Sequence, residues 1–207
     1  MAGKALLPLF PLDLVLMPGE VLPLHIFEPR YRKMIAAARE SGSEFGILRQ
    51  TDQDLERVGC AAKVREVTQR FDDGRFNIRA VGTRRFAVRS FDASEECLHA
   101  VVEFFGDDAH AQADAAKVAA LITVAETVQR LIGRGRASWD PNHPWLSFRI
   151  SGDLPAAPGI KQKLLELTSE VDRVDFLTGY LQGVVAKRDM RKRRERLIRG
   201  NGRLPHE

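Results

Sequence analysis

Apolar residues recur at every second position through the first half of the chain and at every third or fourth through the second. The change falls at Gly106-Asp107-Asp108. A period of two marks a strand with one buried face, and a period near 3.6 marks a helix. In the first half, short apolar runs at Leu6 to Phe10, Leu14 to Met17 and Val21 to Ile26 are interleaved with Pro8, Pro11, Pro18, Pro23 and Pro29. Proline cannot donate to a sheet ladder, so the pattern predicts short strands at edges or bulges, with a turn at Pro18-Gly19. Pro29 suits the first turn of a helix, which Tyr31, Met34, Ile35 and Ala38 continue at helical spacing and Gly42 ends. Strands are expected at Glu44 to Arg49 and at Val58 to Phe71, the second bending where its alternation slips at Ala61 and Ala62. Asp73-Gly74 predicts a type I′ hairpin turn with both central residues at positive φ. Phe76 to Ala80 is the next strand, a further alternating run, Phe86 to Ser90, follows Gly82, and Leu98 to Phe105 closes the β region.

Beyond that boundary the composition turns Ala-rich. Val118, Leu121, Ile122, Ala125, Val128 and Ile132 form one stripe of a helix expected over Ala111 to Ile132. Shorter helices are expected from Trp145 to Ile150 and from about Gly159 to Leu167. A last one starts near Ser169, where Asp172 three residues on resembles a weak capping pair. Its apolar face stops at about Ala186. Trp139, Trp145 and Phe148 are read as core at the junction of the two halves.

Charge alters this picture only at one end. The net charge of +4 is a tail property: residues 187–207 hold nine basic and three acidic side chains, and the rest of the chain is slightly acidic. No apolar run approaches the roughly 18 to 20 residues of a membrane span, and the start lacks a secretory pattern. The chain is therefore expected to be cytoplasmic, with no membrane partner. Cys60 and Cys97 are far apart and outside any CxxC, so two reduced, buried thiols are expected.

The opening Leu7-Pro8-Leu9-Phe10-Pro11-Leu12, with Leu14-Val15-Leu16-Met17-Pro18-Gly19 and Leu22-Pro23-Leu24-His25-Ile26-Phe27-Glu28, resembles the N-terminal domain of the Lon family of ATP-dependent proteases. Arg57 to Val64 resembles that domain's Val-Gly-x-x-Ala strand, and Asp73 to Ile78 with Val81-Gly82-x-x-Arg85-Phe86 resembles its next hairpin and turn. Leu146-Ser147-Phe148 and Lys161 to Glu166 resemble its helical half. The resemblance covers roughly residues 5 to 186. It implies an α+β fold in which a bent PUA-like β barrel, a pseudobarrel with one short helix, is followed by an α-helical bundle. The implied boundaries are 5–107 for the barrel, 108–186 for the helices and 187–207 for a basic tail. It also implies a module that recognises unfolded or partner polypeptides, in quality control or as an adaptor, with a separate protease as a candidate partner.

No GK pair followed by Ser or Thr occurs anywhere, so the phosphate-cradling loop of the ATP-driven machine is missing and the chain is read as a stand-alone form. No enzyme activity, cofactor, catalytic residue or metal site is assigned. His25-x-x-Glu28 could pair an imidazole with a carboxylate, but it sits at a strand-to-helix entry with no third ligand near in sequence and is read as structural. Phe27, Glu28, Arg30 and Tyr31 are the candidate polypeptide-binding rim. Lys187, Arg188, Arg191, Lys192, Arg193, Arg194, Arg196 and Arg199 are a candidate basic contact, read first as a solvated helix end. The competing function is RNA binding through the barrel and this tail.

Overall fold

A computed structural model of the protein describes residues 4–107, 113–133, 135 and 137–200, with residues 196–200 as backbone alone. Six strands come first: β1 (Lys4–Leu12), β2 (Val21–Ile26), β3 (Phe45–Arg49), β4 (Val58–Arg70), β5 (Phe76–Asp92) and β6 (His99–Phe105). Helix α1 (Pro29–Ser41) lies between β2 and β3, and α2 (Ala115–Leu131), α3 (Leu146–Asp153), α4 (Pro158–Glu166) and α5 (Glu170–Gly200) follow.

The strands run β2-β5-β4-β3-β1-β6, and β6 also pairs with β5, so β1, β3, β4, β5 and β6 close into a ring. β1 divides its pairing. Lys4 to Pro8 run antiparallel to β6, and Leu9 to Leu12 run parallel to β3. Each half of β1 therefore has one side without a ladder, which is where Pro8 and Pro11 can sit without losing a hydrogen bond. β4 slips register at Cys60/Ala62, as its broken alternation implies, and again at Val64/Glu66 and Val67/Gln69. Each slip adds local twist, which helps a small sheet curl on itself.

Two apolar clusters hold the fold. One contains Leu7, Leu9, Leu48, Ala61, Phe86, Val88, Ala100 and Val102, all contributed by strands of the ring. The other runs from Phe10, Ile26, Tyr31 and Ile35 through Ile78 to Leu121, Leu146, Leu164, Val174 and Leu177, so strands, α1 and the later helices share it. α2 packs chiefly on α5, while α4 touches β4. The Asp114 carboxylate accepts from the Ala116 N–H at 2.8 Å and caps α2; the expected start at Ala111 lies outside the described residues.

Three local expectations are corrected. Leu14 to Met17 is not a strand. Val15, Leu16 and Met17 are buried, but the Met17 N–H donates to the Glu20 carboxylate and the Met17 carbonyl accepts from the Glu20 N–H, so the run folds back on a turn and joins no ladder. A short apolar run reports burial and cannot by itself tell strand from packed loop. There is no turn at Gly82, and β5 passes straight through it. The β4–β5 connection is a hairpin, but Asp73 does not take positive φ. Gly74 alone does, at 82°, with its N–H donating to the Phe71 carbonyl and the Phe71 N–H donating to the Arg75 carbonyl. That is a three-residue loop closed by a glycine bulge, which needs one left-handed residue where type I′ needs two.

Both cysteines are buried, and burial pushes both thiols up from their usual range. Iodoacetamide at neutral pH is expected to label neither Cys60 nor Cys97 until urea unfolds the chain. Full labelling of Cys60 in the native protein would show that the packing around it opens in solution.

Candidate polypeptide-binding surface

β2 is the strand the ring leaves over. It pairs with the first half of β5, from Val21↔Val81 to Ile26↔Phe76, and no other strand pairs with it among the described residues. The Gly82 N–H donates to the Glu20 carbonyl at 2.9 Å. Hydrogen-bonded and non-hydrogen-bonded pairs alternate along an antiparallel ladder. Leu22, Leu24 and Ile26 therefore aim their backbone groups at β5, and Val21, Pro23 and His25 aim theirs away from the sheet. Pro23 fits this frame, since the donor it lacks would have pointed outward. The outer edge of β2 thus offers donors at Val21 and His25 and carbonyls at all three positions, the chemistry that takes up another extended backbone.

Apolar surface flanks this edge at both ends. At one end Phe27 is 57% exposed. The His25 ring stands 5.9 Å from it and 5.7 Å, edge-on, from Phe71. His25 Nδ1 and Asn77 Oδ1 are 2.6 Å apart, and Asn77 in turn donates to Gln69, so the imidazole is held on the sheet. Arg75 lies over Phe71 and bonds Asp73, whose carboxyl is held below its usual range first by the Arg75 backbone N–H and then by the Arg75 side chain. At the other end Val21, 39% exposed, lines a groove of about 320 Å³ with Pro18, Gly19, Phe148, Arg149 and Gly152. Trp145 borders this end, near Gly19, and opens onto a second groove of about 490 Å³ lined by Val118, Pro141, His143 and Pro144. The six residues of β2 span about 20 Å at 3.4 Å per residue, the reach of a short extended peptide.

The residues of the expected rim separate. Phe27 stands on the surface, and Glu28 and Arg30, whose side chains are both exposed beside it, bond each other at 2.9 Å. Tyr31 is not rim. It is 8% exposed and stacked on Phe10 at 4.2 Å, and burial outweighs the Arg30 charge above its ring to raise its phenol. It is the first buried residue of α1. His25 meets Asn77 and not Glu28. Among the described residues no cluster of three His, Cys, Asp or Glu side chains could hold a metal. Trp139 and Phe148 are buried as expected, whereas Trp145 is 41% exposed, because it caps the start of α3 and faces outward there.

A model of the ATP-dependent protease La (LON) substrate-binding domain matches residues 6–183. The chain belongs to this family. The LON domain described here is 25% identical over 197 residues to the Lon protease of Cytophaga hutchinsonii, a match that takes in 84% of this chain and 23% of that one. Among solved structures it is similar to a Lon N-terminal domain protein from Xanthomonas campestris, with a TM-score of 0.68 and 25% identity over 85% of this chain and 98% of the other. It also shares the fold of the N-terminal domain of a Mycobacterium avium complex Lon protease, with a TM-score of 0.66, 21% identity, and 86% and 98% covered.

The sequence did not point to the buried charges that join the strands of this LON domain to its helices. Arg173 on α5 donates to Asp107 and Glu170 and to the Leu167 carbonyl, with its Nε also 3.0 Å from Ser147 Oγ. Arg85 on β5 donates to the same Asp107 and to the carbonyls of Leu165 and Leu167. Both guanidiniums lie over the Phe148 ring. Two cations meet two carboxylates, and the cluster is neutral. The basic residues Lys187, Arg188, Arg191, Lys192, Arg193 and Arg194 all lie exposed on α5, while the side chains of Arg196 and Arg199 are outside those described. No described helix is long and apolar enough to cross a membrane.

Proposed function

We infer that this protein is a non-catalytic Lon-like substrate-recognition module that takes up extended, partly apolar segments of unfolded or partner polypeptides along the outer edge of β2. The family assignment supports the ligand class, and the outward backbone groups of Val21, Pro23 and His25 between two apolar ends support the place. The closed ring with β2 attached is read as a PUA-like pseudobarrel over residues 5–107. The helical unit spans 108–186, and the tail is 187–207. A cytoplasmic quality-control or adaptor role, with a separate protease receiving the bound chain, is the setting this reading proposes.

Affinity would come from two sources. Main-chain bonds to the edge contribute about 1 kcal/mol each net, and burial of Phe27 against a ligand contributes about 1.5–3 kcal/mol. Val21 opens the strand and its N–H faces outward, so Val21→Pro is expected to fold normally yet weaken capture of a chemically unfolded protein by about fivefold. Phe27→Asp is expected to weaken it about tenfold or more. Leu24→Pro, by contrast, removes a bond of the β2–β5 ladder and is expected to lower stability. Binding isotherms against an immobilised, carboxymethylated unfolded protein check the first two, and the urea midpoint checks the third. Wild-type affinity in both Val21→Pro and Phe27→Asp would sink the assignment to this edge.

A further inference from the structure

An unpaired strand edge is a template for any extended chain, a second copy of the same protein included, and proteins blunt such edges with bulges, charged side chains, proline or a covering element. β4 beyond Ala62 has β5 on one side and no strand on the other among the described residues, and it is blunted several times over. Register slips at Val64/Glu66 and Val67/Gln69 twist it, Lys63, Arg65, Glu66 and Arg70 put exposed charge on it, and α1 packs against it through Ile35, Ala36 and Val67. β2 has none of these devices. Its ladder to β5 runs unbroken from Val21 to Ile26, it holds no Asp, Glu, Lys or Arg, and its length is ordinary for a strand. What remains is Pro23, the middle one of the three exposed residues whose backbone groups point outward.

The central position matters because of symmetry. Two copies of one edge close on each other about a two-fold axis, and every contact across that axis occurs twice. A parallel pairing cannot close this way, since residues level with each other in a parallel ladder do not both aim their backbone groups at the other strand. In the antiparallel register with most overlap, Val21 faces His25 of the second copy, His25 faces its Val21, and Pro23 faces its Pro23. Each outer pair can exchange two hydrogen bonds. The central pair exchanges none, and it sets two carbonyls against each other with no donor between them. Sliding the copies by two residues keeps fewer pairs and leaves Pro23 in each of them. A foreign strand meets Pro23 with a residue that has its own N–H, which can donate to the Pro23 carbonyl, so one bond is lost and not two. We propose that Pro23 keeps the β2 edge from pairing with a second copy of this chain, and that two-fold symmetry, by doubling the missing bond, lets one proline separate self from foreign strands. For the foreign strand this rests on the reading of β2 given above, whereas the barrier to self-pairing follows from the ladder alone.

The test is Pro23→Thr in the full chain, since threonine supplies the N–H and suits an exposed strand position. At a factor of about five per bond, taken twice, the variant is expected to self-associate about 25-fold more tightly than wild type in sedimentation equilibrium from micromolar to millimolar protein. Pro23→Val restores the same donor and should behave alike. Hydrogen exchange locates the contact: the Val21 and His25 amides should exchange fast in wild type and become protected in the associated variant. Adding Val21→Pro to Pro23→Thr removes as many outward donors as the first change restored, and should return self-association to the wild-type level. Two donor-restored variants that associate no more tightly than wild type overturn the proposal. Association that leaves the Val21 and His25 amides unprotected, or that survives Val21→Pro, overturns it too. Capture of the carboxymethylated unfolded protein, read below the concentration at which Pro23→Thr associates, is expected to rise only about fivefold, one bond's worth. Unchanged capture beside raised self-association would remove β2 as the polypeptide edge while upholding the role of Pro23.

Discussion

Replacing Arg173 with Met is expected to lower the free energy of unfolding by about 3–5 kcal/mol, because it strips the partner from carboxylates that stay largely buried. The Arg173 side chain is 0% exposed, and Asp107 and Glu170, its partners, are 24% and 14% exposed. Without it, Asp107 retains Arg85, but Glu170 keeps only the Ser147 N–H and hydroxyl as donors. Lysine is not a substitute, since one ammonium cannot span Asp107, Glu170, Ser147 and the Leu167 carbonyl as the planar fork does. The same cluster ties β5, the end of β6, α3 and the α4–α5 loop together, so the loss should appear as one cooperative shift of the urea midpoint. Tryptophan fluorescence follows it, since Trp139 is buried beside α3 and donates to Asp153. Arg191→Ala, which breaks an exposed pair on the same helix, is the comparison and should leave the midpoint in place. A shift in Arg173→Met of under about 1 kcal/mol would mean that water replaces the guanidinium at little cost and that the cluster does not hold the halves together.

Gly82→Ala is expected to cost about 2–3 kcal/mol and to disturb polypeptide capture as well. A Cβ at Gly82 would lie 2.2 Å from the Met17 carbonyl oxygen and 3.2 Å from Cys60 Sγ. The first contact is backbone against backbone, so no side-chain rotation relieves it. The segment Leu14 to Met17 or the β5 strand must move. Either movement pulls on the Gly19 N–H and Glu20 carbonyl, both bonded to Gly82, and so on the start of β2. Gly106→Ala meets nothing within 4 Å and is expected to be neutral within about 0.5 kcal/mol. Denaturation midpoints of the two variants, compared with their capture of unfolded protein, check both parts. A Gly82→Ala protein as stable as wild type would show that the approach of Met17 is looser than described.

Much of this fold is legible along the chain because it depends on neighbours in sequence. Helix α1 declares itself through Pro29, the spacing of Tyr31, Met34, Ile35 and Ala38, and Gly42. The bend in β4 follows from the slip at Ala61 and Ala62, and the buried stripes of α2 and α5 follow from their periods. Pro23, with the other early prolines, limits its strand to an edge or a bulge, and β2 is an edge. The readings that differ at Gly82, Trp145 and Tyr31 share one cause: each answer depends on what lies opposite in space. Gly82 looks like a turn until the Met17 carbonyl is seen against it. Trp145 looks like core until α3 turns it outward. Tyr31 looks like surface until Phe10 covers it.

The sequence by itself determined the family, the order and type of the main elements and the segregation of positive charge into one end, because period, capping and charge density are local properties of a chain. Only the tertiary structure decided that the ring closes without β2, leaving the edge of Val21, Pro23 and His25 open between Phe27 and Trp145. Only it brought Arg85, Asp107, Glu170 and Arg173 together across long stretches of sequence. Which backbone groups go unpaired and which charges meet follow from how strands close and helices dock, and no window of neighbouring residues contains that information.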